Sequence, residues 1–189
     1  GTPKPNVVLI PTIQECKPNV PWNMSKEISN DVREKLMMHG KIFSPAEGDV
    51  SKQVASLSRK DLTTVKELSP YLYFQPAHFV VVTDLLEFQT VPYKRGMIKP
   101  LFVARLDDDQ AEVLKMKVRL KIIDIRGGEP KLIRQEIVES NHMISKQAMK
   151  EGEMMHGRDG FASSELGIAV NRLTNEIVAK IEKATAYQS

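Results

Sequence analysis

A chain of 189 residues, 41% hydrophobic and 27% charged, can bury a sizeable core without disulfides or metals, and its balance is neither that of a disordered segment nor that of a membrane-embedded one. Lys and Arg number 27 against 24 Asp and Glu, and the resulting net charge of +3 is too small to argue for nucleic acid. A single cysteine, Cys16, excludes an internal disulfide, and no apolar run approaches the roughly 20 residues of a membrane helix.

The chain opens on Gly1 and a polar stretch with Pro3 and Pro5, so residues 1–6 read as an extended lead-in or a trimmed remnant. Residues 7–189 then read as a single α/β domain. Val7-Val8-Leu9-Ile10 is apolar at every position, which predicts a central strand covered on each side and ended by Pro11. Gln14 to Trp22, with Pro18 and Pro21, reads as a loop. In residues 24–39, Ile28, Val32 and Leu36 recur every four positions, with Asn23 or Ser25 as cap and Gly40 as stop, so a helix is expected. Ile42-Phe43 is a short strand candidate. Asp49 and Asp61 would each cap a further helix, the first turning Val50, Val54 and Leu57 inward.

The run HFVVVTDLLEF at 78–88 predicts a second strand buried on both faces, neighbouring the first inside one sheet. Residues 89–100 hold Pro92, Gly96 and Pro100 and read as a loop or irregular edge, with a strand at Leu101 to Leu106 and a solvated turn at Asp107-Asp108-Asp109. Met116, Val118, Leu120 and Ile122 alternate with Lys115, Lys117, Arg119 and Lys121, the period of a strand with one buried and one wet face. A turn at Arg126 to Glu129 and a return over Leu132 to Val138 complete an antiparallel hairpin. Residues 145–162 read as a loop. A last helix from about Ser163 to Tyr187 puts Leu166, Val170, Leu173, Ile177, Ile181 and Ala184 on one face, which the hairpin's apolar face should receive. The fold class is therefore α/β (α+β), a single mixed sheet with helices packed on it.

Chemistry is sparse. His39, His78, His142 and His156 lack metal-binding spacing. Met149, Met154, Met155 and His156 carry soft donors but no repeated copper spacing, and the three adjacent aspartates lack the alternation of a calcium loop. Phosphate-loop, dinucleotide and nucleophile-elbow patterns are missing. No catalytic, cofactor-binding or metal residue is assigned and no cofactor is expected. The positive signal is the basic strand face, Lys115, Lys117, Arg119 and Lys121. It is read either as a solvated face, part-neutralised by Glu136, or as a partner surface for an anionic partner or a membrane surface. Without interleaved aromatics it does not suit nucleic acid. An alternative is an enzyme or small-ligand binder with a site built from the 89–111 and 145–162 loops.

The order of elements carries a resemblance. A strand ending in proline (VVLIP) precedes the helix SKEISNDVREKLMMHG. KIFSP and HFVVVTDLLEF follow, then the hairpin strand and turn VRLKIIDIRGGE and a long closing helix. This pattern, from about residue 7 to 187, resembles chlamydial envelope lipoproteins. It also resembles the domain family shared by the curli secretion lipoprotein, the amino-terminal domain of TolB and the lipoprotein activator of penicillin-binding proteins. The resemblance implies a non-enzymatic periplasmic domain that binds other envelope proteins. It implies an outer-membrane anchor through an upstream lipidated cysteine, a role Cys16 does not suit because it follows the first strand. No site residue carries over from it.

Overall fold

Apolar residues four apart make one stripe on a helix, and Met24, Ile28, Val32 and Leu36 of α1 (Met24–His39) are all buried on such a stripe. Asn23 caps α1, its side chain accepting from the Lys26 amide at 3.1 Å. Gly40 ends it with φ 65°, a left-handed conformation that suits glycine. The computed structural model describes residues 4–20, 22–57, 68–74, 76–94, 96, 111–147 and 157–186. The helix expected after Asp61, the strand at 101–106, the three-aspartate turn and most of the 145–162 loop lie outside these residues.

The remaining elements are β1 (Val7–Leu9), β2 (Ile13–Gln14), α2 (Glu47–Val54), a 3₁₀ turn (Ser69–Phe74), β3 (Phe79–Pro92), β4 (Ala111–Asp124), β5 (Lys131–Ser145), α3 (Gly157–Ser163) and α4 (Glu165–Thr185). They build one mixed sheet in the order β1-β3-β4-β5, and β2 also pairs with β3. β1 and β2 run parallel to β3 and share one edge of it, Val7 opposite Phe79 and Ile13 opposite Asp84. β3–β4 and β4–β5 are antiparallel.

Several boundaries differ from the sequence reading. β1 neighbours β3 as expected, yet it lies at the sheet margin rather than at its centre. Beyond it, among the described residues, there is only a bridge from Asn6 to Phe43, whose carbonyl accepts from the Val7 amide at 2.8 Å. Its all-apolar pattern reflects cover on both faces, Val7 in one core and Val8 in the other, not a central rank. Ile13 and Gln14, the latter read as the start of a loop, form β2. Pro11 breaks the ladder because it has no N–H, and the extended chain then rejoins β3. β3 continues through Gln89 to Pro92, where a loop or irregular edge was expected. No described strand pairs with its outer side there, so a proline costs no ladder bond among the described residues. α2 begins before Asp49, at Glu47, and its Ala46 cap makes no side-chain hydrogen bond. Part of the 145–162 loop is helical, as α3.

Two cores flank the sheet. On one face, the α1 stripe and Leu166, Val170, Leu173, Ile177 and Ile181 of α4 pack on Met116, Val118, Leu120 and Ile122, the docking that the two periodicities require. On the other, Val50 and the 3₁₀ residues Tyr71 and Phe74 cover Val8, Ile10, Val80, Val82, Ile123 and Ile125. Ser164 caps α4, accepting from the Gly167 amide at 3.1 Å. Only glycine fits at 167, where a Cβ would lie 2.0 Å from the Phe161 carbonyl oxygen. Phe161 meets Trp22 edge-on, with ring centroids 5.1 Å apart.

The β4–β5 turn is held by Asp124, which accepts from the Arg126 amide at 3.0 Å and from its guanidinium at 3.0 and 2.8 Å. These bonds, the guanidinium's foremost, hold the Asp124 carboxyl below its usual range. A depressed carboxyl contributes stability above its unfolded value near 3.9 and loses it as pH falls through the lower folded value. Asp124→Ala is expected to cost about 0.5–1 kcal/mol at neutral pH and nothing at the acid end, read from denaturant titrations across pH.

Candidate functional site

The second face of the sheet is only half covered. Beyond Val82 and Ile123 no apolar layer lies over it among the described residues, and its side chains turn polar. β3 contributes Asp84, Glu87 and Gln89, and β4 contributes Arg119, Lys117 and Lys115 directly opposite them. Asp84 and Glu87 are three residues apart and would face opposite ways in a regular strand. A bulge between Leu85 and Glu87 returns them to one face. β5 adds Ile137 opposite Arg119 and Glu139 opposite Lys117.

The result is a ladder of compensated charges. Lys117 lies 3.5 Å from both Glu87 and Glu139. Those carboxylates, Glu139 first, push its pKa up. Arg119 and Lys121 converge on Asp84 at 3.6 and 3.5 Å. Exposure falls along β4 towards the covered half, from 41% at the Lys117 side chain to 32% at Arg119 and 0% at Lys121. The four cations therefore do not all face outward as their alternation suggested. Lys121 is buried because it sits at the border of the second core, whose cover the hairpin's own pattern does not reveal. Burial pushes the Asp84 carboxyl up and the Lys121 ammonium down despite their mutual attraction. Neither Asp84 oxygen accepts a hydrogen bond within the described residues, so its ion-pair contacts are long ones.

Glu136 does not neutralise this face. It lies opposite Leu120, on the helix side, where it pairs with Lys180 and, at 3.4 Å, with Arg134. The partners missed from sequence are Asp84, Glu87 and Glu139. The signal for the first was present, since a lone aspartate inside an apolar run such as HFVVVTDLLEF needs a cation beside it.

Elsewhere, Thr12, Ser29 and Thr83 form a hydroxyl network at 2.6–2.8 Å beside a cleft after β1. Its free volume of about 20 Å³ admits a water rather than a metabolite. A groove of about 170 Å³ between α1 and α4 is lined by Glu27, Asp31 and Glu34. No three metal-ligating side chains cluster among the described residues, and no described helix is long and apolar enough to cross a membrane. Cys16 is half-buried against the first core, and burial raises its thiol pKa. His39 meets Glu182 at 2.8 Å, His78 accepts from the Asn6 amide, and His142 is half-buried beside Ser140 and Arg172. His156 and the methionine cluster lie outside the described residues, as does much of the alternative loop site.

A model for a family of unknown function, DUF7499, matches residues 1–187. The chain belongs to this family. Among solved structures, this DUF7499 member is similar to the hypothetical protein CT253 from Chlamydia trachomatis, with 22% identity and a TM-score of 0.69 over 97% of this chain and 99% of that one. Protein XCC0632 from Xanthomonas campestris shares the fold at 8% identity and a TM-score of 0.54, over 96% and 87% of the two chains. Lipoprotein GNA1162 from Neisseria meningitidis aligns at 13% identity and a TM-score of 0.48, over 93% and 99%. The fold that the order of elements suggested is thus shared with a chlamydial protein. A search of curated proteins finds no match. Neither the family description nor these three names specifies a reaction.

Proposed function

We propose that this DUF7499 member is the periplasmic domain of a bacterial envelope lipoprotein and works by binding other envelope proteins, without catalysis. The observation that carries the binding role is the open half of the sheet. It presents Ile137 amid alternating charges, the mixture of apolar centre and polar rim that protein interfaces use. The cleft after β1 is too small for a metabolite, the open groove of about 500 Å³ between the end of α2 and the 3₁₀ turn is lined, among the described residues, by no ionisable group besides Tyr73, and the perturbed Asp84, Lys117 and Lys121 sit in the charge ladder rather than around a cavity. The envelope placement and the upstream lipid anchor rest on the resemblance in element order.

The charge ladder selects the probe. Lys115 and Lys117 are the outer cations and can be reversed without stranding a buried charge. Arg119→Glu, by contrast, would set a second acid against Asp84. Lys115→Glu/Lys117→Glu sets a third carboxylate beside Glu87 and Glu139, so it is expected to lower stability by about 1 kcal/mol with the fold retained. It should also abolish cross-linking to envelope proteins in extracts of the source bacterium. Unchanged cross-linking would mean that this face is only solvated surface.

A further inference from the structure

β5 is the outer strand of the sheet, fifteen residues long, and no described strand pairs with its far side. An edge of this length that no described strand covers can template another strand. It contains no proline, and its central residues are exposed, including Ile133 at 44% and Ile137 at 47%.

The central sequence is Ile133-Arg134-Gln135-Glu136-Ile137. Read against itself in the antiparallel sense about Gln135, it is self-complementary. Arg134 falls opposite the second copy's Glu136, Glu136 opposite its Arg134, and Gln135 opposite itself. The two-fold axis stands perpendicular to the sheet, so each pair lies on a common face, as antiparallel pairing demands. Arg134 and Glu136 share the helix side, where they already meet within one chain at 3.4 Å. Ile133 is the bulged residue that the β4–β5 register skips between Arg134 and Leu132, so the regular matching segment is Arg134 to Glu136. Shifting the axis by one residue, to Arg134 or Glu136, would set like against like at the centre, so the charges select one register.

We propose that two copies of this chain pair antiparallel along β5 about Gln135, joining their sheets into one. The occupant of the edge is a second copy, because the segment complements itself in charge. This does not depend on the open sheet face or on envelope placement.

Sedimentation equilibrium of the intact chain should show a concentration-dependent dimer. Arg134→Glu alone sets glutamates opposite each other twice, and Glu136→Arg alone does the same with arginines. Each is expected to weaken the dimer at least about tenfold. Mixing the two variants restores both opposite-charge pairs, so an equimolar mixture should form a heterodimer near wild-type strength. Far-UV circular dichroism checks that each variant folds. Should either fail, concentration-dependent amide-exchange protection confined to residues 133–137 of the unmodified chain is the second measurement. A wild type that stays monomeric, a mixture that does not recover, or protection independent of concentration would each overturn the proposal, and the edge would then be free for a different protein.

Discussion

Leu173→Ala is expected to lower the unfolding free energy by about 2–5 kcal/mol, the range for truncating a buried leucine. Leu173 is fully buried midway along α4, in the cluster that joins the α1 stripe to Met116, Val118, Leu120 and Ile122. The cavity would open between two helices and a sheet, all three held by other contacts, so collapse around it is limited. A domain of this size shifts its melting temperature by about 2–4 °C per kcal/mol, so the loss should appear as roughly 5–15 °C. An unchanged melt would mean that α4 does not stay docked in solution.

A similar effect is expected at Asp84. Asp84→Ala removes the carboxylate 3.5 Å from the fully buried Lys121 and so weakens the compensation of a buried ammonium, which should cost about 3 kcal/mol. Replacing both, as Asp84→Leu/Lys121→Met, is expected to be neutral or stabilising by about 1–4 kcal/mol. Burial is the foremost cause of both shifts, raising the Asp84 carboxyl and lowering the Lys121 ammonium. The sign for Asp84 follows from its raised carboxyl. The cost of ionisation is fully present above the folded pKa and is relieved as pH falls through it, opposite to Asp124. Denaturant titrations of the single and double variants at neutral pH check the order. If Asp84→Ala matches wild type, water reaches Lys121 and the border of the second core is open.

Local pattern carried much of the architecture. Repeats of four along α1 and α4, alternation along β4, and glycine with capping residues at the helix ends are short-range features that name an element and its inner face. They placed α1 within its observed bounds, put α4 on the right face of the hairpin, and located the Arg126 turn. Where cover arrives from distant chain, the same patterns misled. β1 looked central because both its faces are apolar, but α1 and the 3₁₀ turn cover those faces while its outer edge, among the described residues, meets only Phe43.

The sequence by itself determined the fold class, the pairing of helix stripe with hairpin face, and the basic character of one strand face, because periodicity is a property of neighbours in the chain. Only the tertiary structure decided which basic residues are charges at the surface and which is a buried one. That outcome depends on α2 and the 3₁₀ turn stopping short on the second face, on a bulge that brings Glu87 round beside Asp84, and on a register that sends Glu139 to Lys117 and Glu136 to Lys180. A one-residue change in any of these exchanges the faces, and nothing local to Lys115–Lys121 encodes it.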